Sequence, residues 1–275
     1  MNQQGLRHRT DRRPAAETGE GAQPRQNGRP ASGLLPHRLP QDAVHLHLLD
    51  DTQVTDPARL QAYARLLTDD ETRRAAAFHA PEHRHQFLIT RALLRRTLTH
   101  YCPGTPAQDW RFTLNAYGRP AIDGGFAIGL DFNLSHTRGR IALAICRDPS
   151  PGVDIEWLDR RVDYAGIADL VLTPDEQRDL AALPEALRAQ RFTALWTLKE
   201  AYVKARGMGL SIPLREIAVS FDGSGQPSIR FGGSLEDDPQ RWQVWSLREG
   251  PAHRLALALA APTPKRIRIF RGIPS

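Results

Sequence analysis

Three acidic side chains and one lysine carry the chemistry this sequence offers. Asp154 and Glu156 stand two residues apart in Gly152-Val153-Asp154-Ile155-Glu156. On a strand that spacing puts both carboxylates on one face while Val153 and Ile155 point to the other. Two hard oxygen ligands so close repel unless a cation lies between them. Glu200, in Trp196-Thr197-Leu198-Lys199-Glu200-Ala201-Tyr202-Val203-Lys204-Ala205-Arg206-Gly207, can complete the set. Three carboxylates suit Mg²⁺, which prefers oxygen donors and keeps positions open for water and phosphate. Lys204 lies one helical turn beyond Glu200. On spacing alone the plainer readings stay open: Glu200 and Lys204 as a solvated pair that supports a helix by roughly a few tenths of a kcal/mol, and Asp-x-Glu as an exposed strand end.

The elements that must position these groups are readable from periodicity and caps. Good helix formers run without a break from Pro184, a helix start, to Gly207, a stop, which predicts a long helix over residues 184–206. Leu195, Leu198, Ala201, Tyr202 and Ala205 share its apolar arc, and Glu200 and Lys204 share another face. Upstream, residues 57–67 read as a helix, Thr68 with Glu71 forms a capping box for a helix ending near Phe78, and Pro81 opens a long helix to Tyr101. Strands are predicted over residues 44–48, 110–115, 130–134, 141–146, 153–156, 217–221, 228–231, 242–247 and 255–260, with Thr173 and Glu176 capping a further helix. A long helix, a strand, a Gly-x-Pro turn and further strands occur twice, with turns at Gly118-Arg119-Pro120 and Gly225-Gln226-Pro227. This order predicts an α+β fold of two similar α/β subdomains in a pseudo-two-fold arrangement with the site between them. The expected division is a disordered basic tail over residues 1–40, subdomains over 41–150 and 151–262, and a basic C-terminal tail over 263–275.

The chain of 275 residues carries a net charge of +6, but the excess sits at its ends. Residues 1–40 hold seven arginines against three acids, and residues 263–275 hold Lys265, Arg266, Arg268 and Arg271 with no acid, which leaves −2 for the body between. A body of that charge offers no groove for nucleic acid. No apolar run reaches the roughly 18 residues of a membrane span, and the N-terminus does not read as a signal peptide. The expectation is a cytoplasmic protein with no membrane or nucleic-acid partner, its Cys102 and Cys146 reduced and structural. His45 and His47 alternate with Val44, Leu46 and Leu48; with no third ligand nearby they read as the outward face of an edge strand.

Three stretches taken together resemble the 4′-phosphopantetheinyl transferases, of the larger, monomeric, pseudo-dimeric kind that activates surfactin synthetase. They are Gly118-Arg119-Pro120 followed by Phe132-Asn133-Leu134-Ser135-His136, then residues 152–156, then residues 196–207. Arg119 stands where the family usually has lysine. The resemblance implies transfer of 4′-phosphopantetheine from coenzyme A, the co-substrate, to a serine of an apo acyl, peptidyl or aryl carrier protein. It implies Mg²⁺, with Mn²⁺ as a substitute, on Asp154, Glu156 and Glu200. Glu200 would accept the serine proton, Lys204 would meet the departing phosphate, and His136 would donate to a coenzyme A phosphate with Ser135 beside it. Arg119, Arg74 and Arg91 would bind coenzyme A phosphates. Met208, Leu210 and Ile212, just past the long helix, are candidates for contacting the carrier. The competing readings are a non-catalytic protein that binds coenzyme A or a carrier, and a metal-dependent phosphohydrolase.

Overall fold

The computed structural model describes residues 39–123, 129–158 and 164–274. The expected disordered stretch, residues 1–40, lies outside them apart from its last two residues. The described residues belong to one compact unit, Pro36–Ser275. The elements of the first half are β1 (Ala43–Leu49), α1 (Pro57–Ala64), α2 (Asp69–Ala76), α3 (Pro81–Tyr101), β2 (Phe112–Leu114), β3 (Pro120–Ile122), β4 (Asp131–Thr137) and β5 (Arg140–Cys146). There follow β6 (Pro151–Trp157), α4 (Tyr164–Val171), α5 (Pro174–Ala182), α6 (Glu185–Arg206), β7 (Ile217–Phe221), β8 (Pro227–Phe231), β9 (Trp242–Glu249), β10 (His253–Ala260) and β11 (Arg266–Arg271).

Local chemistry sets the boundaries of the helices. Thr68 and Glu71 exchange both bonds of a capping box at the start of α2, as do Thr173 and Glu176 at α5. Each satisfies two amide donors that a helix start leaves without partners. Helix α6 ends at Gly207, whose φ of 66° is open to glycine at little cost.

The two halves repeat one topology. Strands β1, β5 and β4 lie in that order in the first sheet, and β6, β10 and β9 in the second, all antiparallel within each half. The hairpins β2–β3 and β7–β8 form separate two-stranded sheets. Alternate residues of each central strand face different cores. Ile141, Leu143 and Ile145 of β5 pack with Ile89, Leu93 and Leu94 of α3, whereas Ala142, Ala144 and Cys146 face Val153, Leu255 and Leu257 of the second half. On the far side Ala256 and Ala258 meet Leu198, Ala201 and Tyr202 of α6. The layers therefore run helix, sheet, sheet, helix, with an apolar core shared between the sheets.

The C-terminal segment is a correction. Residues 266–271, expected to be part of a basic tail, form β11, which pairs parallel with β1. Its arginines disguise a strand whose Ile267 packs on the shared core. Strand β1 is consequently no edge, and His45 and His47 do not face outward. Both are buried, both bond the Tyr101 hydroxyl at 2.7 and 2.9 Å, and both lie against the Phe270 ring. The two thiols are free and buried, and burial pushes the Cys146 thiol up to about 12, an inert structural group. Strand β3 and helix α4 were not expected from the sequence.

Candidate active site

The site lies where α6 crosses β6 and where β6 meets β4. Gly152 permits the first of these. A Cβ there would stand 1.9 Å from the Ala201 carbonyl oxygen and 2.4 Å from the Ala205 amide, so only glycine lets α6 lie this close. The second junction has no backbone ladder. Asn133 Oδ1 accepts from the Val153 amide at 2.9 Å and Ser135 Oγ from the Ile155 amide at 3.3 Å, so two side chains of β4 satisfy the edge of β6.

Ser135 is fully engaged in this arrangement. Its hydroxyl donates to Asp154 Oδ1 at 2.9 Å while accepting from Lys204 Nζ at 3.0 Å and from Ile155, which exhausts one donor and two lone pairs. Lys204 also donates to Asp154 Oδ1 at 2.6 Å. Asp154 is 4% exposed, and its second oxygen, Oδ2, is buried without a hydrogen-bond partner. An ionised oxygen in that state is costly unless a cation or proton joins it. Glu156 Oε1 accepts from the Trp196 indole at 3.2 Å. Burial raises the pKa of Glu200, and the charges of Asp154 and Glu156 add to the rise against the opposing pull of Lys204. The three carboxylates are thus close enough to repel one another.

Among the described residues no group of three or more His, Cys, Asp or Glu side chains forms a ready-made metal cage. The donor set nevertheless fits a hard divalent cation: oxygen donors only, one of them buried and unpartnered, and a neighbouring carboxylate whose ionisation is disfavoured. Lys204 supplies the positive charge that Asp154 otherwise lacks.

His136 follows Ser135 on the opposite face of β4 and is partly open to solvent. The protein mass around it lowers its pKa, Lys204 and His83 add to the effect, and Asp51 opposes it. A neutral imidazole beside an ammonium can donate one hydrogen bond to an anion and still accept a proton. Asp51 and His83, not singled out in the sequence, act on His136 through their charges, with α3 held to this region by Gln86, which bonds Asp51 and the Thr137 carbonyl.

Two of the three arginines expected to bind phosphate, Arg119 and Arg91, are engaged within the protein. Arg119, expected to grip phosphate, is a clamp. Its guanidinium donates to the carbonyls of Lys204 (2.8 Å) and Ala205 (2.9 Å) at the end of α6, to Phe132 and Pro151 carbonyls at 3.2 Å, and to Asp131 at 3.2 Å. Asn115 adds a bond to the Gly207 carbonyl at 2.7 Å. The turn of the first half thereby satisfies carbonyls that every helix end leaves open. Arg91 is also committed. It pairs with Glu71 and lies 4.6 Å over the Phe112 ring, while Arg95 takes the other Glu71 oxygen at 2.9 Å. Burial pushes the Glu71 carboxyl up, but Arg91, the Thr68 amide and Arg95 bring it below its ordinary value. Arg74 is exposed, 5.6 Å over the Phe87 ring, and free to meet a ligand. Among the described residues no contact joins Arg74 or Arg91 to the Asp154–Lys204 cluster, so the structure brings together Ser135, Asp154, Glu156, Glu200 and Lys204, sets His136 within range of the Lys204 charge, and leaves those two arginines apart.

Lys199, next to Glu200, is wholly buried and anchors the helix. It bonds Glu176 at 2.5 Å and the carbonyls of Val171 and Leu214, so of the two lysines in the stretch it is Lys204 that meets Asp154. Ile212, a candidate for carrier contact, is 3% exposed and belongs to the second half's core. Met208 is half-buried and packs on that core, and the Leu210 side chain lies outside the described part.

The α+β scaffold thus gathers carboxylates and a lysine at a seam between its halves, with a histidine near them. The family model described as the 4′-phosphopantetheinyl transferase superfamily matches residues 150–260, the stretch holding β6, α6 and both of their functional sequences. The 4′-phosphopantetheinyl transferase HetI of Nostoc sp. is 36% identical over 183 residues, covering 66% of this chain and 76% of its own. The 4′-phosphopantetheinyl transferase Sfp of Bacillus subtilis is 28% identical over 210 residues, 72% of this chain and 89% of its own, so the likeness extends into the first half. The chain belongs to the 4′-phosphopantetheinyl transferase family.

Proposed function

We propose that this enzyme transfers 4′-phosphopantetheine from coenzyme A to a serine hydroxyl of an apo carrier protein, with Mg²⁺ held by Asp154, Glu156 and Glu200. The observation that carries the reading is the convergence of Lys204 and Glu200 on Asp154, whose inner oxygen is buried and unpartnered. In the reaction a bond forms between the serine oxygen and the β-phosphorus, and the bond from that phosphorus to the bridging oxygen breaks. The serine proton passes to Glu200, whose raised pKa makes it a stronger base than an ordinary carboxylate. The leaving oxygen of adenosine 3′,5′-bisphosphate gains negative charge, which Lys204 meets. When bound, Mg²⁺ supplies positive charge to the pyrophosphate oxygens. Ser135 keeps Lys204 aimed, and His136 donates to a phosphate. Asp131, Arg119 and Asn115 hold the end of α6 so that Lys204 stays in register. Because one chain furnishes both walls of the seam, the enzyme acts as a monomer.

The test is to incubate the protein with coenzyme A, Mg²⁺ and an apo carrier, then weigh the carrier. A carrier heavier by one phosphopantetheinyl group is expected, and none in chelator. Consumption of coenzyme A with an unmodified carrier would mark a hydrolase instead, and binding without either change a non-catalytic protein.

A further inference from the structure

A recess of about 450 Å³ opens on the second half between the first turns of α6 and the β7–β8 turn. Its lining includes Leu183, Leu187 and Phe221 together with Arg191, Ser246 and Arg254. Two arginines, Arg191 and Arg254, line it together with one carboxylate, Asp222, and Arg248 stands close by. Arg254 stands opposite Arg248 in the β10–β9 ladder, Arg191 reaches over the Phe221 ring at 4.9 Å, and none of the three has an ion pair among the described residues. The acids nearby are turned elsewhere. Asp222, also in the lining, accepts from the Ser224 and Gln226 amides of its own turn, and Glu156, across the ladder from Arg254, accepts from Trp196. Two donors remain open: Arg254 Nε and the Ser246 hydroxyl are buried with no hydrogen-bond partner. Burial lowers the pKa of Arg254, and the charges of Arg248 and Arg191 add to it. Clustered cations and unmet donors around a cavity cost stability unless an anion fills it.

We propose that this recess is a second ligand site, which takes a small organic oxyanion. Its phosphate or carboxylate is held by Arg191, Arg254 and Ser246, and its apolar part rests on Leu183, Leu187 and Phe221. A guanidinium fork matches such a head group, and the volume suits a ligand of this size. The inference does not depend on the transferase reading, since none of these residues belongs to the Asp154–Lys204 cluster.

Calorimetric titration of the full chain at low ionic strength tests it, with phenyl phosphate, benzoate and inorganic phosphate as separate probes. Phenyl phosphate should bind one to one and more tightly than inorganic phosphate, which lacks the ring. Comparison with benzoate tells whether a phosphate or a carboxylate is preferred. Arg254→Gln and Arg191→Gln should each weaken binding by at least about tenfold, whereas Lys204→Ala should leave it unchanged. Arg191 is exposed, so its variant decides the matter if Arg254→Gln does not fold. Absence of binding by all three probes would overturn the proposal, as would binding that survives both arginine changes or is lost in Lys204→Ala.

Discussion

Helices α3 and α6 hold equivalent places in the two halves and use their charged residues differently. In α3 the cations are consumed internally: Arg91 and Arg95 both close on Glu71 of α2 and flank the Phe112 ring. In α6 one lysine, Lys199, is consumed in the same way by Glu176, but Glu200 and Lys204 face the seam. The hairpins differ in parallel. Arg119, in the Gly-x-Pro turn of the first half, crosses to the end of α6, while Gln226, its counterpart, reaches only the Val244 carbonyl of its own half at 3.1 Å. A repeated scaffold thus carries one reactive site, built where a strand and a turn of the first half support the helix of the second.

The comparison can be broken most severely at Gly152. Gly152→Ala should cost about 3 kcal/mol or more, because the new Cβ collides with α6 backbone rather than a movable side chain. Gly118→Ala, at φ 84° with open space around it, should cost about 1 kcal/mol. Chemical denaturation of the two variants measures both, and similar losses would show that α6 can shift away from β6.

A somewhat smaller effect is expected at the two committed arginines. Arg119→Ala and Arg91→Ala should each lower stability by about 2 kcal/mol, since carbonyls in the one case and Glu71 in the other lose partners. Arg119→Ala should also lower kcat by displacing Lys204 while leaving the KM for coenzyme A nearly unchanged. A raised KM with unchanged stability would restore Arg119 as a phosphate ligand.

The pH dependence should be weaker still. Burial and its acidic neighbours raise the Glu200 pKa in the folded protein, so the folded state holds that proton more tightly than the unfolded one. Its unfavourable contribution is absent below the unfolded carboxyl's pKa and fully present above the folded one. In chelator, Glu200→Gln should therefore melt higher than wild type on the order of a few degrees at neutral pH, with the gap closing in acid. A gap that widens in acid would mean the neighbours stabilise the Glu200 anion. The smallest change in stability is expected at Arg74. Arg74→Ala should alter stability by less than about 0.5 kcal/mol yet raise the KM for coenzyme A several-fold, and an unaltered KM would remove it from the binding surface.

Much of this arrangement was legible in the sequence because it is local. Pro184 and Gly207 delimit α6 to within a residue of its observed bounds, Thr68 with Glu71 and Thr173 with Glu176 act as read, and the alternation in residues 152–156 puts Asp154 and Glu156 on the α6 face. What escaped depends on partners distant in the chain. Strand β11 pairs with β1 across most of the sequence, and its arginines resemble those of a tail. A cation in a Gly-x-Pro turn looks the same whether it meets phosphate or helix carbonyls, so the role of Arg119 became visible only with α6 in place.

The account rests most directly on the reactivity of the seam, which a single comparison measures: the rate of carrier modification by wild type and by Glu200→Gln, each checked for folding by its melting curve. A loss on the order of three powers of ten, equivalent to about 4 kcal/mol of transition-state stabilisation, in a protein that melts no lower than wild type is the predicted result. A variant that modifies the carrier at a rate near wild type, or that loses activity only because it unfolds, would contradict it.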